Sequence, residues 1–552
     1  MSEYPLAVIA PILVPLVTAI LALVAHRTKR PQQAISLLGG VGYVAAVAYL
    51  FQQVQTDSDA IITYQLSNWG APFGISLVAD DLAVFMLALA AVVSLAALAF
   101  SVLYLDESAE RVSYHPLFHF MLVGVSGSFL TGDIFNLFVW FEVMLMSSYV
   151  LVVFYSGPQH TKAALQYVTL NLVGSALMLV AIGGLYATTG TLNMADLARR
   201  LANPAEFGIV SIAPVLGLSA VLFVVFALKA GIVPFQWWVP AAYRAAPAPV
   251  AAVLAGVVKK VGVYAIIRLY FTIFANADTG ALDLALPGLA GDSVLAFFGP
   301  VLFVMAGASI LVGGIGAVNR DNVDDLLAYS SIGQVGFIVL ALAFAATAIA
   351  GGSADQPLSA PAPFGNLAVL GIAAALVYSL NHALAKGALF LVSGAINSAI
   401  GTIEFDRLGG LANRLPFLSA AFFLAGLGLV GIPPFLGFFG KFLVFDAAVN
   451  AGSGAGVALA LAGAILTIAY FTRAWNRGFW GVPSEAVDVA TRPTGQVAIV
   501  LALALSVLLV GAAFDPVVAA AIDAAQAATN TDAYIEAVHL TDGLGSGNGG
   551  GH

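Results

Sequence analysis

The chain has 552 residues, 61% of them hydrophobic and 9% charged, with a mean hydropathy of +0.98; a soluble domain is about a quarter charged, so a water-soluble globule is excluded. A formal net charge of −9 without any basic run argues against nucleic acid as a ligand. The lack of cysteine removes disulfides, thiolate metal sites and cysteine nucleophiles, so no metal or cofactor is expected and any electron transfer belongs to a partner.

Apolar stretches of about 20 residues, long enough to cross a bilayer, recur between short polar loops. We place fourteen, at 5–25, 32–53, 78–103, 115–131, 133–156, 163–188, 210–239, 247–272, 293–316, 325–347, 366–396, 417–448, 455–480 and 494–518. The first is read as a retained helix and not a signal peptide, because its basic cluster, Arg27, Lys29 and Arg30, follows the apolar run. The predicted fold is an all-α polytopic membrane protein. Helices 1–3 lie within 1–110, helices 4–8 within 111–275, helices 9–13 within 290–480 and helix 14 within 490–520. The acidic tail 521–552, Gly-rich from Gly543 to His552, is expected to be disordered.

Charge placement supports this count. With the N-terminus outside, the inner loops hold Arg27, Lys29, Arg30, Arg111, Lys162, Arg244, Arg320, Arg407, Arg414, Arg473, Arg477 and Arg492, and the outer loops only Arg199, Arg200 and Arg268. Both termini are then predicted outside. The remaining basic residues, Lys229, Lys259, Lys260, Lys386 and Lys441, fall inside spans, and all are lysines. A guanidinium keeps its proton, whereas a buried ammonium can give one up, so this choice points to proton traffic. Snorkelling to the headgroups is the competing reading, weakest for lysines far from a loop.

In chain order, Asp80, Asp81 and Asp133 sit near helix starts, where a carboxylate caps the helix or complements its dipole. Glu142 is the one glutamate inside a span and needs a partner or a proton; a buried lysine would serve, and a structural ion pair without traffic is the alternative. Lys229 precedes Gly231-Ile232-Val233-Pro234-Phe235. The related Gly431-Ile432-Pro433-Pro434-Phe435 stands 200 residues later and precedes Lys441. Gly231, Pro234, Gly431, Pro433 and Pro434 should break helices 7 and 12. Paired breaks suggest an internal repeat, and copies of five spans each would be inverted. Lys259 and Lys260 point about 100° apart, so only one of them faces a given path. His382 and Lys386, four apart, share a helix face; the histidine suits a proton relay or a structural bond to a carbonyl.

These residues carry a resemblance. Gly132-Asp133-Ile134-Phe135-Asn136-Leu137-Phe138-Val139-Trp140-Phe141-Glu142-Val143-Met144-Leu145, the stretch from Lys229 through Pro240, and Lys260-Val261-Gly262-Val263-Tyr264-Ala265-Ile266-Ile267-Arg268 are similar to the antiporter-type subunits shared by Mrp-type Na⁺/H⁺ antiporters and respiratory complex I, and within them to the D-type member of the Mrp set. The resemblance covers about residues 75–480. It implies a Glu142–Lys229 pair, a central relay through Lys260 and His382, and Lys441 near the exit of a second half-channel. Lys386 occupies a lysine position found in some members, and Lys259 is an addition. It also implies a multi-pass subunit of a prokaryotic plasma-membrane complex with other antiporter subunits as partners, moving H⁺ and Na⁺, and no enzyme. Two features depart from the pattern: Asp321-Asn322-Val323-Asp324-Asp325 stands where many relatives are basic, suggesting a different partner surface, and the long lateral helix of one complex I subunit is lacking. The expected proton path runs from Glu142 to Lys229, Lys260, His382 and Lys441, with the Na⁺ site unassigned. A proton-pumping subunit of a redox-driven complex is the alternative.

Overall fold

The computed structural model describes residues 5–56, 61–105, 114–280, 282, 291–351 and 363–540. Arg111 and the Gly-rich stretch 541–552 lie outside the described residues. The chain begins with helices α1 (Pro5–Val24) and α2 (Lys29–Thr56), then strands β1 (Ile61–Gln65) and β2 (Ser76–Asp80), which pair antiparallel with Ile61 opposite Asp80. There follow α3 (Asp81–Tyr104), α4 (Tyr114–Leu130), α5 (Ile134–Val152), α6 (Pro158–Thr189), the short α7 (Met194–Ala202), α8 (Ala213–Ala230) and α9 (Trp238–Ala245). The span α10 (Ala248–Ile273) leads to α11 (Val294–Val318), α12 (Val323–Ala350), α13 (Leu367–Ile400), α14 (Pro416–Val430), α15 (Leu436–Asn450) and α16 (Gly454–Phe479). The last helices are α17 (Thr494–Ala512), α18 (Phe514–Thr529) and α19 (Thr531–Val538).

Among the described residues twelve helices are long and apolar enough to cross a membrane. The other two expected spans are α4, with 17 residues, and the interrupted pair α14 and α15. Side-chain oxygens start the helices where the sequence offers them: Asp80 accepts from the Ala83 amide at 2.9 Å, Asp133 from Asn136 at 2.8 Å and Asn366 from Val369 at 2.9 Å. Three spans form the centre, with 100% of the apolar window of α10, 89% of α12 and 94% of α13 buried, against 33% in α6 and in α16. Leu172, Val173 and Val180 of α6 and Leu461, Ile465 and Ile468 of α16 point outward, as lipid-facing residues should.

Two sequence expectations are corrected. Arg268 is not a loop residue: α10 continues through a π-helical stretch from Ile267 to Ile273, and Arg268 is buried there, 2.6 Å from Asp80. The chain after 520 does not begin as a disordered tail. Ala521, Ala524, Ala525 and Ala528 of α18 are buried, and α18 packs on α3 and α13. Thr531 then donates to the Thr272 carbonyl at 2.7 Å, and the Tyr534 ring lies 4.9 Å from the Arg268 guanidinium. Small alanines let α18 approach closely, and their weak hydropathy hides the helix from a search for spans.

Candidate functional site: a buried file of basic side chains

The first half of the file is built by α5, α6 and α8. Glu142 on α5 is half-buried and accepts a hydrogen bond from Ser175 of α6. Lys229, 2% exposed, occupies the last turn of α8, where the free carbonyls and the negative end of the dipole favour an ammonium. Its Nζ donates to the Tyr167 hydroxyl at 3.3 Å, and that hydroxyl bonds Ser148 at 3.1 Å. Trp238 stacks on Tyr167, and Lys229 lies 5.8 Å from the Trp238 ring, which adds a cation–π attraction. Among the described residues Glu142 and Lys229 make no ion pair within 4.0 Å; they attract each other across a gap, one held by Ser175 and the other by Tyr167.

The helix ends at Gly231, whose φ of 65° suits glycine, and α9 restarts at Trp238. Inside the break Val233 N–H donates to Ser309 of α11 at 3.0 Å, and Trp238 Nε1 donates to the Leu228 carbonyl at 2.7 Å, so neighbours satisfy backbone groups that the break sets free. Lys259 reaches this break from α10. A Cβ added to Gly231 would lie 3.1 Å from its Nζ, which is fully buried and has no hydrogen-bond partner among the described residues.

The centre joins α10, α12 and α13. A π-helical turn, Leu254–Val258, precedes Lys260 and presents the Ala255 carbonyl, to which Lys260 Nζ donates at 3.0 Å. The same Nζ touches His382 Nδ1, and His382 Nε2 lies 3.1 Å from the Ser331 hydroxyl. One turn along α13, Lys386 donates to the Leu327 carbonyl at 3.0 Å and to Ser330. An ammonium at Lys260 donates to Nδ1, leaving the imidazole to carry its own proton on Nε2 toward Ser331. Transfer through the ring therefore needs no large movement.

The second half continues on the same helices. Gln334, one turn beyond Ser330, donates to Tyr470 at 2.7 Å and to Thr467 at 3.1 Å, and accepts from Tyr378. Beyond it Lys441 of α15, 5% exposed, lies 4.9 Å from the Phe337 ring and donates to the Val430 carbonyl at 3.1 Å. Val430 is the last residue of α14; Gly431 follows with φ 88°, and α15 starts five residues after it, at Leu436. Each break thus places a left-handed glycine against a buried lysine, Gly231 against Lys259 and Gly431 against Lys441.

The structure brings Lys260 and His382 into contact, sets Lys386 one turn away, and leaves Lys229 and Lys441 on either side. Sequence reasoning missed the neutral links: Ser148, Tyr167 and Ser175 in the first half, Ser330, Ser331, Gln334, Tyr378, Thr467 and Tyr470 in the second. The four-residue spacings of Tyr378, His382 and Lys386, and of Ser330 and Gln334, were the available signal. No group of three or more His, Cys, Asp or Glu able to hold a metal occurs among the described residues. A cavity of about 600 Å³ opens beside the first break, lined by His160, Lys162, Gln236, Trp237 and Arg244.

A helical bundle with buried lysines at two helix breaks defines a membrane-embedded class of protein, and comparison with known proteins narrows it. The family described as NADH:quinone oxidoreductase/Mrp antiporter, TM, matches residues 131–354 and 364–467. The D-type Na⁺/H⁺ antiporter component of Alkalihalophilus pseudofirmus is 34% identical over 96% of this chain and 99% of its own, and that of Bacillus subtilis 32% over the same shares. The chain belongs to this family. In a solved Mrp complex from Dietzia sp. DQ12-45-1b a chain of 27% identity superposes with a TM-score of 0.81, over 98% of this chain and all of that one. A chain of respiratory complex I from Thermus thermophilus, 23% identical with a TM-score of 0.76 over 95% of this chain and 99% of its own, shares the fold.

Proposed function

We propose that the chain is the proton-translocating subunit of a multisubunit Na⁺/H⁺ antiporter in a prokaryotic plasma membrane. The single observation that carries this reading is the series of buried polar groups between Glu142 and Lys441, in which Tyr167 holds Lys229, Ser331 meets His382 and Gln334 meets Tyr470. Isolated charges in hydrocarbon cost at least about 2.5–3.5 kcal/mol each, so a file of five lysines calls for a task. Protons load at Glu142 and Lys229, pass through Lys260 and His382, are held at Lys386 and leave by Lys441, with Lys259 at the first break as a further station. Waters span the gaps between these groups. No bond other than those to protons is made or broken, which makes the chain a transporter component and not an enzyme in its own right.

Counting α4 and the α14–α15 pair as spans gives fourteen crossings and, from the arginine-rich loops, both termini outside. The five crossings within 111–275 and the five within 290–480 are then inverted copies, a reading supported by the matching glycines of the two breaks. The relatives named as antiporter components support other small antiporter subunits as partners and Na⁺ as the coupled ion. A redox-driven proton pump is the second reading, favoured by the fold shared with complex I. Proton flux in everted vesicles bearing the whole gene cluster tests the choice. Flux that requires Na⁺ on the opposite side is expected, and Na⁺-independent flux that appears only with an electron donor would overturn it.

A further inference from the structure

The acidic segment 321–325 carries three aspartates, and the chain engages all of them itself. Asp321 bonds Arg473 and Arg477, Asp325 pairs with Arg244 and accepts from Asn322 at 2.9 Å, and Asp324 accepts from Ser393 of α13 at 2.5 Å. Asp324 faces a chamber of about 320 Å³ whose wall also includes Tyr104, His160, Arg244, Ser393 and Asn397. A polar chamber of that size has room for several waters.

The chamber points at the central cluster along two lines. Tyr243 forms part of its wall; its hydroxyl is fully buried, makes no direct hydrogen bond among the described residues, and lies beside Ser331, the partner of His382. Asp324 is also one helical turn, about 5 Å along the axis, from Leu327, whose carbonyl holds Lys386. Ser393 and Lys386, seven residues apart, occupy the same face of α13. Asp324, Leu327, Ser331, Lys386 and Ser393 therefore line one seam between α12 and α13, running from the chamber to the relay.

We propose that Asp324 and its chamber form a proton-access port joining the arginine-rich face of the molecule to the Lys386–His382 centre, working in series with the Glu142–Lys229 end of the file and not in its place. The carboxylate exchanges protons with chamber water and hands them along the seam; Ser393 orients it, and Arg244, itself paired with Asp325, lies near enough to attract it. The other charged or titratable groups facing the chamber are His160, which bonds the Ala245 carbonyl at 2.9 Å, and the tyrosines Tyr104, Tyr155 and Tyr243. The port deepens the proton-translocation reading and rests on it.

The test uses the complete complex in everted vesicles, following proton flux with a lumenal pH dye and Na⁺ dependence separately. In assembled Asp324→Asn complexes flux should fall at least about tenfold, with a larger solvent deuterium isotope effect because proton delivery has become limiting; Asp324→Glu should restore both. Wild-type flux and isotope effect in Asp324→Asn would overturn the port. So would a loss with an unchanged isotope effect that Asp324→Glu does not repair, which marks a purely structural carboxylate. Absence of Na⁺ dependence in wild type would instead sink the antiporter reading, leaving the flux of Asp324→Asn to decide the port.

Discussion

Lys260 is the residue on which the relay turns, because its ammonium touches both the Ala255 carbonyl and His382. Lys260→Ala should cut proton flux about a hundredfold or more. Lys260→Arg should be as inactive in a complex that still assembles, since a guanidinium can donate to His382 but cannot release its proton. Vesicle flux read beside a native gel of the complex checks both, and an active arginine variant would contradict a proton-carrying role. Arg268 shows the complementary use of a fixed charge: buried, paired with Asp80 and covered by Tyr264 and Tyr534, it holds β2 and α10 together. Asp80→Ala leaves that guanidinium unpaired and should cost about 3–5 kcal/mol. The double variant Asp80→Leu with Arg268→Met should regain most of it, measured as thermal unfolding in detergent. The charged members of the site were legible in the sequence because ionisable residues stand out in apolar runs. Gln334, Tyr378, Tyr470 and the serines were not, since neutral polar residues are common in membrane helices and only packing shows which of them meet.

At the scale of elements, the breaks turn helix ends into sites. A helix that stops inside the bundle leaves carbonyls that an ammonium can occupy, and Lys441 takes the Val430 carbonyl in this way. Gly431→Ala should therefore do more than add strain of about 1–2 kcal/mol at a left-handed position. The new Cβ would sit 3.1 Å from Lys441 Cδ and push the side chain off its carbonyl. Proton flux should drop several-fold while the complex still assembles; unchanged flux would show that the position of Lys441 at the break is immaterial. The breaks were readable from glycine followed by proline. The π-helical turns of α10, which present the Ala255 carbonyl to Lys260 and carry Arg268 into the core, have no comparable signature. The β1–β2 hairpin was missed because two five-residue strands between long spans carry too little periodicity to register.

For the whole molecule, composition alone pointed to the class, and the spacing of apolar runs located most spans. The closure of the bundle by α18 and α19 was hidden, because alanine-rich, acidic sequence reads as a solvated tail until α3 and α13 are there to receive it. Ending the chain at Ala513 removes the Tyr534 cover over Arg268 and the Thr531–Thr272 bond. Such a truncation should lower thermal stability and complex yield relative to the full chain. Size-exclusion profiles of the purified complexes would show the difference.

If the buried basic file conducts protons from one end of the molecule to the other, cutting it at either end must stop transport. The most direct measurement is proton flux through assembled complexes carrying Lys229→Ala or Lys441→Ala, one at each end of the file. Loss of flux in both, with assembly intact, is the predicted result; wild-type flux in either would contradict a continuous path from Glu142 to Lys441.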